Sequence, residues 1–201
     1  MLRLYDYLPS GNSYKVRLLL HQLGIPFERI DMDIMTGATR TPEFLAKNPN
    51  GRIPLLEISS EERLAESNAI LFYLAEGTPF LPKARWQRAK VLEWLFFEQY
   101  NHEPNIATAR FWIRFVGLNE ERRAGLEKKR VLGYAALDVM ERHLARSAFF
   151  VADAYSIVDI ALYAYTHVAD EGGFDLGAYG AVRAWLERVR AQPGHIPITA
   201  G

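Results

Sequence analysis

The chain of 201 residues contains no cysteine. That excludes a disulfide scaffold, a thiolate metal site and a resident redox thiol together. An excess of charge is also missing. Lys and Arg number 24, Asp and Glu 24, so the formal net charge is zero. Nothing here calls for nucleic acid or an anionic membrane as the main partner. The five histidines show no recognisable ligand spacing, and no metal site is expected. No apolar run approaches ~20 residues, so no membrane-spanning helix is expected either. The first residues enter a strand pattern directly, with no secretory signal, which makes the cytoplasm the expected location. Internal repeats and low-complexity segments are absent. The remaining material is ordinary for a globular protein, 49% hydrophobic and 24% charged, enough for one large domain or two small ones.

The most informative stretch is Leu2 to Val16. It opens as a short apolar strand and breaks at Pro9-Ser10-Gly11-Asn12, four residues that favour turns. It resumes as a helix with Val16, Leu19, Leu20 and Leu23 on one face, closed by Gly24 with Pro26 beyond. A strand–turn–helix of this kind aims the first helical N–H groups and the positive end of the dipole at whatever sits over the turn. That place suits an anion. With no cysteine in the chain, a thiolate there must arrive on a ligand, and the donors of the turn would lower its pKa as they would a protein thiol's.

Further along, Phe27–Met32 reads as a second strand, parallel to the first through the helix between them. Thr41-Pro42-Glu43 is a helix start with N-cap, N1 proline and first-turn acid, and Asn48-Pro49-Asn50-Gly51 ends that short helix. Arg52–Ile58 reads as a strand that Pro54 interrupts early, and Arg63–Ala65 as a last short strand. Glu66-Ser67-Asn68 opens a helix, with Ser67 its expected N-cap and Gly77 its end. After a linker at Thr78–Pro82 the pattern changes class. From Trp86 to Trp185 there is helical periodicity and no convincing strand, and the charge-dense run Asn119–Arg130 reads as a solvated helix surface. The expectation is an α/β domain over 1–77 followed by an all-α domain over 85–201.

Four motifs, in this order, resemble the cytosolic glutathione transferase family over nearly the whole chain. Ser10-Gly11-Asn12-Ser13-Tyr14-Lys15-Val16-Arg17 is similar to the active-site turn of its serine-type classes. Asn48–Pro54 is similar to the loop that ends in the family's cis-proline, and Glu66–Leu74 resembles its Glu-Ser helix start. Tyr155–Ala161 resembles its capping box and hydrophobic staple. The resemblance implies a thioredoxin-like first domain, a helical second domain and a homodimer, to which Phe72, Tyr73 and Phe80 would lend apolar contact.

It also implies glutathione as co-substrate, with no tightly bound cofactor and no metal. Glutathione is a zwitterionic tripeptide. Glu66 would pair with its γ-glutamyl ammonium, and the Ser67 hydroxyl and N–H would hold the neighbouring carboxylate at a helix N-terminus. The backbone of Ile53, before a cis Pro54, would pair strand-like with the cysteinyl unit. The glycine carboxylate needs a cation: Arg52, where several classes carry a lysine, or Arg40; Thr39 stands where some classes have a histidine. Ser10 is the first candidate to hydrogen-bond the sulfur, with Asn12 as rival and Tyr5 or Tyr7 behind it, while Ser13, nearer the helix, is the expected N-cap. Tyr100 and Phe111 are candidates to line a second-substrate site, taken from an aromatic run that also holds Trp112 and Phe115. Ser156 and Asp159 fit a capping box and are assigned to folding, not chemistry.

The implied activity is conjugation of the glutathione thiolate to a small hydrophobic electrophile. Alternatives are glutathione-dependent disulfide or peroxide reduction, for which Asn12 would serve the sulfur, and a binding protein that kept the fold without turnover. A cysteine-type thiol transferase is excluded, and an isomerase is disfavoured because its relatives carry a cysteine at the position of Asn12.

Overall fold

The computed structural model describes residues 1–201, which divide into two units, Met1–Thr78 with Pro193–Gly201, and Pro79–Gln192. The first unit holds β1 (Leu2–Asp6), α1 (Gly11–Leu23), β2 (Phe27–Asp31), α2 (Pro42–Leu45), β3 (Leu55–Glu57), β4 (Arg63–Ala65) and α3 (Ser67–Leu74). The sheet order is β2-β1-β3-β4, with β1 and β2 parallel and the other pairs antiparallel. This is a thioredoxin-like α/β arrangement. Side chains alternate across the strands. Leu4 and its partner Leu56 are fully buried, as are Val16, Leu19 and Leu20 of α1 and Ile70 and Leu71 of α3. Tyr5 and its partner Leu55 join Met32 and Phe44 of α2 in a separate core cluster.

Local chemistry sets the boundaries. Gly24 closes α1 in the left-handed conformation at φ 64°, and Thr41 caps α2 ahead of Pro42. β3 begins only after Pro54, whose ring nitrogen cannot join a ladder, so the strand is shorter than the Arg52–Ile58 reading. The Ile53–Pro54 peptide is cis. Segment 193–201, assigned by sequence to the helical domain, instead packs with the first unit.

The second unit is helical: α4 (Arg85–Phe97), α5 (Glu103–Phe111), α6 (Glu120–Leu144), α7 (Ile157–Thr166) and α8 (Gly180–Arg190). α7 is mostly apolar and every one of its residues is buried, as expected of a central helix. Ser156 caps it, and Asp159 returns the bond by accepting from the Ser156 N–H at 2.9 Å, which completes the expected capping box. A π-helical turn, Glu98–His102, joins α4 to α5. Pro104 follows at once and has no N–H for the carbonyl four residues back, so the helix widens there. No helix is long and apolar enough to cross a membrane.

Candidate active site

Two helix N-termini meet in the first unit. One is the start of α1. Ser10 is its N-cap, with extended backbone at φ −73° and ψ 122°, and its Oγ accepts from the Ser13 N–H at 3.3 Å. The expectation that Ser13 would be the cap is therefore corrected. The main chain turns at Ser10, so its hydroxyl, three residues before the Ser13 amide, has the capping geometry. Ser13 sits in the first turn, fully buried, and its Oγ has no hydrogen-bond partner. Capping uses a lone pair of the Ser10 oxygen and leaves its proton available to an anion over the turn.

The second is the start of α3. Here Glu66, not Ser67, occupies the N-cap position, and it makes no side-chain cap bond. Glu66 has φ 67° and ψ 111°, a left-handed backbone that costs a non-glycine residue about 1–3 kcal/mol. The Glu66 carboxylate stands exposed at this helix start. Ser67 follows as the first helical residue, nearly buried. The first N–H groups of any helix have no acceptor within it, so this end can receive a carboxylate.

A chain of side chains links the two ends. Lys15 Nζ donates to Ser67 Oγ at 3.2 Å, and Ser67 Oγ donates to Asn12 Oδ1 at 3.3 Å. Lys15 is 0% exposed. Its ammonium polarises the Ser67 hydroxyl, and that hydroxyl turns the Asn12 amide so that oxygen faces α3 and nitrogen lies on the other side. The sequence pattern gives Lys15 no role: a lysine three residues after Asn12 on the same helix face names no partner by itself.

The remaining candidates fall in different places. Ile53 and the cis Pro54 immediately precede β3, and Asn48 Nδ2 donates to the Arg52 carbonyl at 2.7 Å, fixing that loop. Arg52 and Arg40 are both exposed, and Arg40 also donates to the Asn50 carbonyl at 3.2 Å. Gly51 needs to be glycine: its φ is +61°, and a Cβ there would lie 2.5 Å from the Arg40 guanidinium.

Tyr5 is removed from the list of sulfur donors. Its phenol is tied to Lys47 Nζ at 2.5 Å and to Glu57 at 3.3 Å, in the cluster with Phe44. In the same group the Lys47 ammonium, with Arg63 and Arg3, holds the Glu57 carboxyl down at about 2 against the opposing effect of burial. Tyr7 keeps its phenol proton, because burial and the nearby Asp33 and Asp31 push the group up.

In the second unit Phe111 is half-buried at the end of α5 and stacks on Phe115 at 6.0 Å. Arg110 lies over the Phe115 ring at 5.2 Å and pairs with Glu171 at 2.8 Å. Tyr100 stands elsewhere. It is 85% exposed and continues the outward stripe of Leu92 and Phe96 at four-residue spacing from α4 into the π turn. Eleven residues separate it from Phe111, about 16 Å of helix.

Comparison with known proteins agrees with this architecture. The profile of the glutathione S-transferase N-terminal domain matches residues 1–76, and that of the C-terminal domain matches residues 94–193. The chain is 35% identical to glutathione S-transferase 3 of Zea mays, across 96% of this chain and 90% of that one. It is 30% identical to the disulfide-bond oxidoreductase YfcG of Escherichia coli, across 96% and 92%. A crystal structure of a glutathione S-transferase from Pseudomonas fluorescens superposes with a TM-score of 0.97 at 53% identity, covering 99% of each chain.

Proposed function

The chain belongs to the glutathione S-transferase family and is an enzyme of it; on that premise we propose that it ionises the glutathione thiol over the turn before α1 and joins the sulfur to a small apolar electrophile. The observation that carries this reading is the 3.3 Å bond from Ser67 to Asn12. It brings the start of α3 beside the start of α1, and in glutathione the γ-glutamyl and cysteinyl units are neighbours.

The γ-glutamyl carboxylate takes the α3 N-terminus with Ser67, and Glu66 takes the ammonium. The cysteinyl backbone runs along Ile53, and the glycine carboxylate is met by Arg52 or Arg40. The sulfur then lies at Ser10 and Asn12. Donors there stabilise the charged form, so the thiol proton leaves to solvent. The thiolate lone pair forms the new S–C bond, and the leaving group departs with the bonding pair.

A second reading keeps the site and changes the substrate: reduction of a disulfide by two glutathione thiols, yielding glutathione disulfide. One observation favours it: the likeness to the oxidoreductase YfcG extends across 96% of the chain.

The exposed apolar stripe of Leu92 and Phe96 on α4, continued by Tyr100 in the π turn after it, supports a homodimer. Cytoplasmic location and a detoxifying role accompany this reading. Calorimetry with glutathione tests the shared site, and turnover of aryl halides against a glutathione mixed disulfide separates the two reactions. Absence of glutathione binding ends both.

A further inference from the structure

We infer that Arg17 and the segment Pro193–Gly201 form a clamp that positions the active-site turn, so that this tail sets the ionisation of the bound thiol. The inference rests on the glutathione reading above.

Arg17 is fully buried, and its guanidinium is divided among three pieces of chain. Nη1 donates to both carboxylate oxygens of Asp6, each at 2.6 Å, at the end of β1. Nη2 donates to the Leu8 carbonyl at 2.9 Å and to the Ile198 carbonyl at 2.7 Å. Leu8 lies two residues before Ser10, whose own N–H donates to the Tyr7 carbonyl at 2.8 Å. One buried group therefore fixes both the approach to the turn and the tail. Tyr14, also fully buried, adds a second tie: its hydroxyl donates to the Ile196 carbonyl at 2.6 Å, and its N–H donates to the Ser10 carbonyl at 2.9 Å.

The path of the tail follows from its glycines. Gly194 passes so close to α1 that a Cβ would lie 3.1 Å from Gln22 Cα, at a φ of +71° that favours glycine. A Cβ on Gly201 would lie 2.9 Å from Leu8 Cδ1. The segment thus runs back along α1 from its last turn to the residues that enter its first. Losing the tail takes the Ile198 carbonyl from Nη2 and a neighbour from Leu8, and opens the guanidinium that holds the Leu8 carbonyl to water. The turn then loosens while α3 and Glu66-Ser67 stay in place. Arg17 and the tail touch no substrate; their role is positioning.

The test uses the whole chain, a truncation after Gln192, and Gly194→Val, which lifts the tail without cutting it. Far-UV circular dichroism and hydrogen exchange report folding and tail release, calorimetry reports glutathione affinity, and thiolate absorbance reports the pKa of bound glutathione. In both variants affinity should stay within about threefold, while the thiol titration moves up by about one unit and kcat at neutral pH falls about tenfold. The nonapeptide of residues 193–201, added back to the truncated chain, should restore the titration. If the truncated chain does not fold, Gly194→Val alone decides. A folded variant with its tail released and an unchanged titration overturns the clamp and leaves the glutathione reading standing. An unaltered chain that neither binds glutathione nor ionises it overturns that reading and the clamp with it.

Discussion

Replacing Asp159 by alanine tests the division of labour between folding and chemistry. Its carboxylate is fully buried. It accepts from the Ser156 N–H at 2.9 Å and the Ser156 hydroxyl at 3.1 Å, closing the capping box of α7. It also accepts from the Trp185 indole N–H of α8 at 2.9 Å and from the Phe150 N–H at 3.4 Å. One side chain thus joins the start of α7, the centre of α8 and the loop before them. Asp159→Ala removes a cap partner, worth about 1 kcal/mol. It also leaves the Trp185 N–H buried without an acceptor, at a cost of about 1–3 kcal/mol. These losses are neighbours and do not simply add, so a total near 3 kcal/mol is expected. For a chain of this size that lowers Tm by about 6–12 °C.

The same residue gives a signed pH effect. Burial pushes the Asp159 carboxyl up to about 7, against hydrogen bonds from Trp185, Ser156 and Phe150 that favour the charged form. In the native state the group keeps its proton up to that pH, while in the unfolded chain it releases it near 3.8. The unfolded state therefore binds fewer protons across this window, and the contribution of Asp159 to stability falls as pH rises from about 4 to about 7. Urea melts at several pH values, with Asp159→Asn flattening that slope, provide the assay. An Asp159→Ala protein with unchanged Tm and lost glutathione affinity would refute the reasoning, because it would move the residue from the fold to the site.

Three further outcomes are expected. Ser67→Ala removes a hydroxyl that Lys15 polarises and that orients Asn12; a charge-assisted bond of about 1.5–3 kcal/mol predicts about a tenfold or greater loss of glutathione affinity by calorimetry, with the fold unchanged. Glu57, held down at about 2 chiefly by Lys47, contributes stability above its ordinary 4.5 and loses it as pH falls from there towards 2; Glu57→Gln should remove that part of the acid sensitivity in thermal melts between those values. Sedimentation at micromolar concentration should show twice the 23.0 kDa chain mass, and a charge at Phe96 on the outward stripe of α4 should dissociate it.

What could be read from the sequence was what short stretches decide alone. The turn at Pro9–Asn12, the cap at Thr41 and the box of Ser156 and Asp159 each place donor and acceptor within four residues. The cap and the box appear as read; the turn runs from Tyr7 to Ser10, and Gly11 and Asn12 already belong to α1. The choice between Ser10 and Ser13 as cap could not be read the same way. Both are serines near the helix start, and only the point at which the backbone turns distinguishes them. Lys15 was illegible for a different reason: its role arises when α3 brings Ser67 within 3.2 Å, a contact spanning 52 positions. The tail shows no periodicity, and its place is fixed by Tyr14 and Arg17, more than 180 positions away. Tyr100 shows the limit of residue type as a guide. An aromatic beside a suspected site serves a pocket or an outward face equally well, and Tyr100, four residues on from Phe96 and eight from Leu92, falls on the exposed side with them.

The central claim is that the N-termini of α1 and α3 hold one glutathione with its sulfur at the turn. Its most direct test is the ultraviolet thiolate band of bound glutathione, titrated in the unaltered chain and in Ser10→Ala and Asn12→Ala. The account predicts a titration well below that of free glutathione in the unaltered chain, and an upward move of about 1–2 units when the residue that donates to the sulfur is removed. A shift confined to Asn12→Ala would assign the sulfur to the amide that Ser67 orients and would favour disulfide reduction. A bound glutathione that titrates like the free tripeptide in all three proteins would contradict the account.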